Sequence, residues 1–177
     1  MKQTFALLLT LLLVWTASAA LAQLGDPVQD FTVVGSDGSF YMLGEMLKTK
    51  KAVYLNFFAS WCDPCLMELP TIQAAYAQYG DEIGFIVASV ETEDTPAALE
   101  QVRTETGLDD LPLSLGGLNA FSQFQSDYIP LTAMVNADGT IGYIHEGAIL
   151  DEQELTRILD AFAGGETVYL EDTPEEP

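Results

Sequence analysis

The chain of 177 residues suits one ordinary domain and is too short for two of typical size. Its 6 Lys+Arg against 27 Asp+Glu give a formal charge of −21, which excludes a basic footprint for nucleic acid or an anionic membrane surface. Hydrophobic residues at 49% exclude a disordered chain, and a cysteine count of two excludes a multi-disulfide scaffold and a four-cysteine metal site.

The first 22 residues read as a secretory signal peptide. Lys2 supplies the positive start, Phe5 to Trp15 is an apolar run, and Ala20 and Ala22 have the small-residue spacing that signal peptidase accepts. Cleavage is expected after Ala22, with Ala19 as the second choice. The alternative is an uncleaved anchor, because Phe5 to Ala22 carries no charge and about 18 residues begin to span a bilayer. A lipoprotein is excluded, since both cysteines, Cys62 and Cys65, lie far from the cleavage site. Export implies a periplasmic or otherwise extracytoplasmic location. There a close cysteine pair is either a disulfide or a cycling dithiol. What remains is a domain over 23–165 and an acidic tail over 166–177, expected as a solvated, mobile end.

Phe31 to Val34 and Phe40 to Leu43 alternate around a Ser36-Asp37-Gly38 turn, which predicts a β-hairpin. Gly44 to Leu47 suits a short helical turn. Ala52 to Phe58 is almost continuously apolar, as in a central strand covered on both faces. Asp63 to Tyr79 has apolar residues at helical spacing, with a kink expected at Pro70 and an end at Gly80. Ile83 to Val90 reads as a second buried strand, and Pro96 to Gly107 as a helix. Leu113 to Leu115 suits a short strand, and Gly117 to Tyr128 looks helical. Leu131 to Asn136 and Thr140 to His145 form a second hairpin around Asp138-Gly139. An amphipathic helix from Asp151 to Ala163 ends the domain. Strands alternating with helices, then a hairpin and a helix, predict an α/β domain with a mixed sheet.

Trp61-Cys62-Asp63-Pro64-Cys65 falls where a strand turns into a helix. A thiol at a helix N-terminus meets unpaired backbone N–H groups and the positive end of the helix dipole, and both stabilise thiolate. Cys62 is therefore the candidate nucleophile, and Cys65, three residues on, can resolve a mixed disulfide. Asp63 opposes the effect with its own charge. A zinc half-site would need further ligands, and His145 is the sole histidine. A purely structural disulfide is the other alternative, although so short a loop stabilises weakly. Glu68 shares a helix face with Cys65. It is either a proton carrier with a pKa raised by burial or an exposed helix carboxylate.

The segments LNFFASWCDPCLMELP (Leu55 to Pro70) and IPLTAMVNADGTIGYIHEG (Ile129 to Gly147) resemble the thioredoxin fold. More narrowly, they resemble the extracytoplasmic TlpA/ResA-type thiol–disulfide oxidoreductases of the redoxin group. The resemblance covers about Gly25 to Gly165 and includes the N-terminal hairpin and a segment inserted in the middle of the core. It implies a thioredoxin-like α/β fold, with a central mixed sheet flanked by helices. It also implies a nucleophilic Cys62, a resolving Cys65 and an acidic partner in Glu68. Pro130 matches the cis-proline loop that presents backbone to the substrate chain, so Trp61, Ile129 and Pro130 form the candidate substrate-binding set. Asn56 occupies the place where cytoplasmic thioredoxins carry a buried aspartate. Leu131 departs from the small polar residue usual after that proline, with Thr132 partly restoring the pattern. The residue pattern of a peroxidase is missing, and His145 reads as structural.

The resemblance implies a reductant of protein disulfides that draws electrons from a membrane thiol donor. Apocytochrome c is one client class. An oxidant or isomerase of secreted proteins, and a binding module with a locked disulfide, are the alternatives. No cofactor, no metal and a monomer are expected. The acidity favours basic clients or reflects a salty habitat.

Overall fold

A computed structural model describes residues 22–172. The expected signal segment therefore lies outside the described residues apart from Ala22, as do the last five residues of the tail. No helix among the described residues is long and apolar enough to cross a membrane.

The elements follow the predicted order: β1 (Thr32–Gly35), β2 (Phe40–Met42), α1 (Leu43–Leu47), β3 (Ala52–Phe58), α2 (Asp63–Tyr79), β4 (Ile83–Ser89), α3 (Pro96–Thr106), β5 (Leu113–Leu115), α4 (Leu118–Phe121), β6 (Leu131–Asn136), β7 (Ile141–Glu146) and α5 (Glu152–Ala163). They build one seven-stranded sheet in the order β2-β1-β5-β4-β3-β6-β7. β4 runs parallel to β3 and β5, while β6 is antiparallel to β3 and β7. This is the α/β thioredoxin fold with a central mixed sheet, flanking helices and extra inserted helices.

Every residue of β3 is buried because both faces of the sheet are covered. Its alternation divides the core. Tyr54, Phe58 and the two cysteines pack with residues of α2, α3 and α5. Val53, Leu55 and Phe57 pack on the other side with Leu43 of α1 and Ala120 of α4.

Several boundaries have local causes. Thr95 caps α3 by accepting the Ala98 N–H at 3.2 Å, and Gly107 ends it in the left-handed conformation at φ 68°. Asp151 caps α5 through the Gln153 N–H at 2.7 Å. α2 continues through Pro70 without interruption. Gly142 in β7 answers a close approach, since a Cβ there would lie 2.5 Å from the Phe162 ring.

One sequence expectation is corrected. Gly117 to Tyr128 is not one helix: α4 passes into a 3-10 turn over Ser122–Phe124, and Gln125 adopts a left-handed φ of 52°. Ser126 then competes with helical hydrogen bonding, its hydroxyl accepting the Tyr128 N–H at 3.0 Å and donating to Glu146 at 2.6 Å. The described part of the acidic tail lies along the sheet through Val168 and Leu170, with its other side chains exposed. The Val168 N–H donates to Asn136 Oδ1, Asn136 Nδ2 donates to the Val168 carbonyl (each 2.9 Å), and the Leu170 N–H donates to the Gly142 carbonyl at 2.8 Å. Val168 and Leu170 pack on the core between acids, so an alternating apolar pattern lay hidden inside an acidic composition. His145 joins this arrangement, its Nδ1 lying 3.0 Å from Asp172.

Candidate active site

β3 ends at Phe58, and the chain turns through Ala59 to Trp61 into α2. Asp94 fixes this turn. Its carboxylate accepts the Ser60 N–H at 3.1 Å, the Ser60 hydroxyl at 2.5 Å and the Ser89 hydroxyl at 2.5 Å. The loop before the cysteines is thereby tied to the end of β4.

Cys62 is the N-cap of α2, with extended backbone and Pro64 in the first turn. Its sulfur accepts the Cys65 N–H at 3.3 Å, a contact that also favours a thiolate when the bond is reduced. The two cysteines form a disulfide with Cα atoms 5.2 Å apart. Cys62 keeps a 5% exposed edge, while Cys65 is fully buried. Access therefore favours Cys62 as the sulfur that meets a partner. Trp61 is exposed beside it, and its indole N–H donates to Glu91 at 2.9 Å, a bond that lowers the Glu91 pKa.

Glu68 is fully buried, so of the two readings of this residue the exposed one is excluded. Its Oε1 accepts Asn56 Nδ2 at 2.7 Å and its Oε2 accepts the Ile149 N–H at 3.1 Å. Burial raises its pKa to about 7 against the opposing effect of these two donors, so the group titrates in the neutral range. The register of β3 on β6 sets Asn56 directly opposite Thr132, with Tyr54 two residues away on the same face. Thr132 Oγ1 lies 3.3 Å from both Asn56 Nδ2 and the Tyr54 hydroxyl. Burial pushes the Tyr54 phenol well above its ordinary pKa, which keeps it neutral.

Ile129 and Pro130 reach the same end of the sheet. Pro130 immediately precedes Leu131, the partner of Phe57, and the Ile129–Pro130 bond is cis. Pro130 is buried, and its carbonyl accepts the Gly147 N–H at 2.9 Å. Ile129 packs on the cluster containing both cysteines. A hollow of about 280 Å³ opens beside it, lined by Tyr128, Ile129, Glu146 and Gly147. Trp61, Cys62, Cys65, Glu68, Ile129 and Pro130 thus gather at one end of the sheet.

Sequence reasoning did not single out Asp94, Tyr54 or the Ile149 N–H. No spacing signals Asp94 or Ile149, which come from distant loops. Asn56 is the one amide in the otherwise apolar and aromatic run of β3, and that interruption is the sequence signal of the network.

Comparison with known proteins agrees with this geometry. The redoxin family model matches residues 23–159. The thiol–disulfide oxidoreductase ResA of Halalkalibacterium halodurans is 26% identical over 137 residues, covering 77% of this chain and 76% of that protein. The thioredoxin-like protein YneN of Bacillus subtilis is 30% identical over 142 residues, covering 78% and 79%. Among solved structures, the exposed lipoprotein thioredoxin Etrx1 of Streptococcus pneumoniae superposes with a TM-score of 0.62 at 26% identity, covering 75% of this chain and 98% of that one. With a disulfide-forming pair at the N-terminus of α2, the chain belongs to the redoxin family, as a thioredoxin-fold thiol–disulfide oxidoreductase related to ResA.

Proposed function

We propose that the protein is an exported reductant of protein disulfides, with residues 1–22 as its signal peptide and 23–165 as its working domain. The observation that carries the reading is the pairing of a rim cysteine, Cys62, with a fully buried one, Cys65, and a buried acid, Glu68, three residues further along the same helix.

In the reduced protein the Cys62 thiolate attacks one sulfur of a client disulfide. The Cys62–client bond forms, the client S–S bond breaks, and the released client thiolate takes a proton. Cys65 then loses its proton to Glu68 and attacks the Cys62 sulfur. The internal disulfide forms, and the second client sulfur leaves and is protonated in turn. Two electrons pass from the dithiol to the client, and a membrane-linked dithiol donor restores them. The exposed Trp61, with Ile129 and Pro130, aligns the client strand. The ResA likeness favours clients whose closely spaced cysteines must be reduced before further use, apocytochrome c among them.

Mild reduction followed by alkylation tests this. Fast modification at Cys62 and slow modification at Cys65 is expected. A disulfide that resists mild reduction would mark a binding module instead.

A further inference from the structure

Asn56 has no exposed surface, and its Oδ1 is a buried acceptor without a hydrogen-bond partner among the described residues. An unsatisfied buried acceptor is costly, and an apolar residue would avoid that cost in a strand otherwise made of apolar and aromatic side chains. The donor half of the same amide is fully used. Nδ2 reaches Glu68 Oε1 at 2.7 Å and Thr132 Oγ1 at 3.3 Å. The side chain is therefore retained for its donors, and the shorter of its two bonds goes to the acid.

We propose that Asn56 is a positioning residue of the exchange reaction: its amide turns Glu68 toward the sheet and sustains it as a carboxylate inside the core. Thr132 orients that amide from the neighbouring strand, and the Tyr54 hydroxyl completes the chain at 3.3 Å. This rests on the proposed role of Glu68 as the proton carrier.

The groups around the carboxyl leave Asn56 as the side-chain lever on its charge. β3 contributes Asn56 and the neutral Tyr54 phenol, and β6 contributes the uncharged Thr132. The segment after β7 contributes the Ile149 N–H, and Cys65 on α2 has no proton to give while the disulfide is intact. Without the Nδ2 donor, burial acts on Glu68 opposed by Ile149 alone. The carboxyl then holds its proton to higher pH.

The test follows the Glu68 carboxyl by NMR across pH in the full-length oxidised protein, beside the pH profile of exchange with a small neutral disulfide. The native midpoint is expected at about 7. Asn56→Ala is expected to raise it by about one pH unit, a tenfold change in proton affinity. Asn56→Asp, which preserves shape and replaces the donor with a second acid, is expected to raise it at least as far. It carries the test if the alanine variant does not fold. An unmoved carboxyl midpoint in the variant that folds would overturn the role of Asn56, even with stability lowered. A Glu68→Gln variant separates the two claims. If it abolishes the neutral-pH step in exchange, the Glu68 reading stands whatever Asn56 does. If it leaves that step unchanged, the Glu68 reading falls and the positioning role falls with it.

Discussion

The backbone N–H of Ile149 donates to Oε2 of Glu68 at 3.1 Å, joining two residues 81 positions apart and closing the segment after β7 over the buried acid. The carboxyl is thus held from two directions in a dry site, and its pKa of about 7 lies above the ordinary 4.5.

This has a consequence for stability. Between about pH 4.5 and 7 the folded protein keeps a proton that the unfolded chain has lost. The contribution of Glu68 to stability is full below that window and is lost as pH rises through it. Glu68→Gln removes the dependence. Relative to the native protein, the variant should gain about 3 kcal/mol between pH 4 and pH 8. Urea unfolding of both oxidised proteins at the two pH values measures this, and parallel pH dependences would contradict it.

Asp94 gathers three donors from Ser60 and Ser89 beside the cysteine turn. Asp94→Ala leaves them without a common acceptor and should cost roughly 2 kcal/mol. Faster hydrogen exchange at the Ser60 amide, read by mass spectrometry or NMR, would accompany the loss. An unchanged Ser60 amide would dissociate Asp94 from the turn.

Trp61 is 64% exposed, so its side chain contributes little to the core. Trp61→Ala should change stability by less than about 1 kcal/mol while slowing exchange with polypeptide disulfides. Exchange with a small disulfide should keep its rate. Equal slowing of both reactions would show that Trp61 acts on the thiols and not on the client strand.

The tail supports the β7 edge of the sheet. Ending the chain after Gly165 removes both amide bonds between Asn136 and Val168 and the Leu170 bond to Gly142. It also exposes apolar surface, and the total loss should be about 2–3 kcal/mol. Thermal unfolding of the shortened chain checks this, and an unchanged Tm would count against a docked tail.

Much of this was legible in the sequence because the signals were local. The buried strand Ala52–Phe58, the Asp63–Tyr79 helix and the cysteine pair each follow from spacing within a few residues. The environment of Glu68 was not legible, since its burial depends on which helix face meets the sheet and its partners come from β3 and the segment after β7. Sequence spacing placed Glu68 beside Cys65 but left exposed and buried readings open. The contacts of Val168 and Leu170 carry no local signal, since five acids dominate the tail and the partners, Asn136 and Gly142, are distant in sequence. Helix propensity over Gly117 to Tyr128 likewise gave way to Ser126, whose bonds to Tyr128 and Glu146 stop the turn.

The central claim is that the Cys62–Cys65 pair delivers electrons to clients, and its reduction potential tests this most directly. Equilibration of the full-length protein against glutathione, read by alkylation of Cys62, gives the value. A reductant should lie near the thioredoxin end of the scale, at about −270 mV, and a value near −120 mV, where strong oxidants lie, would contradict the account.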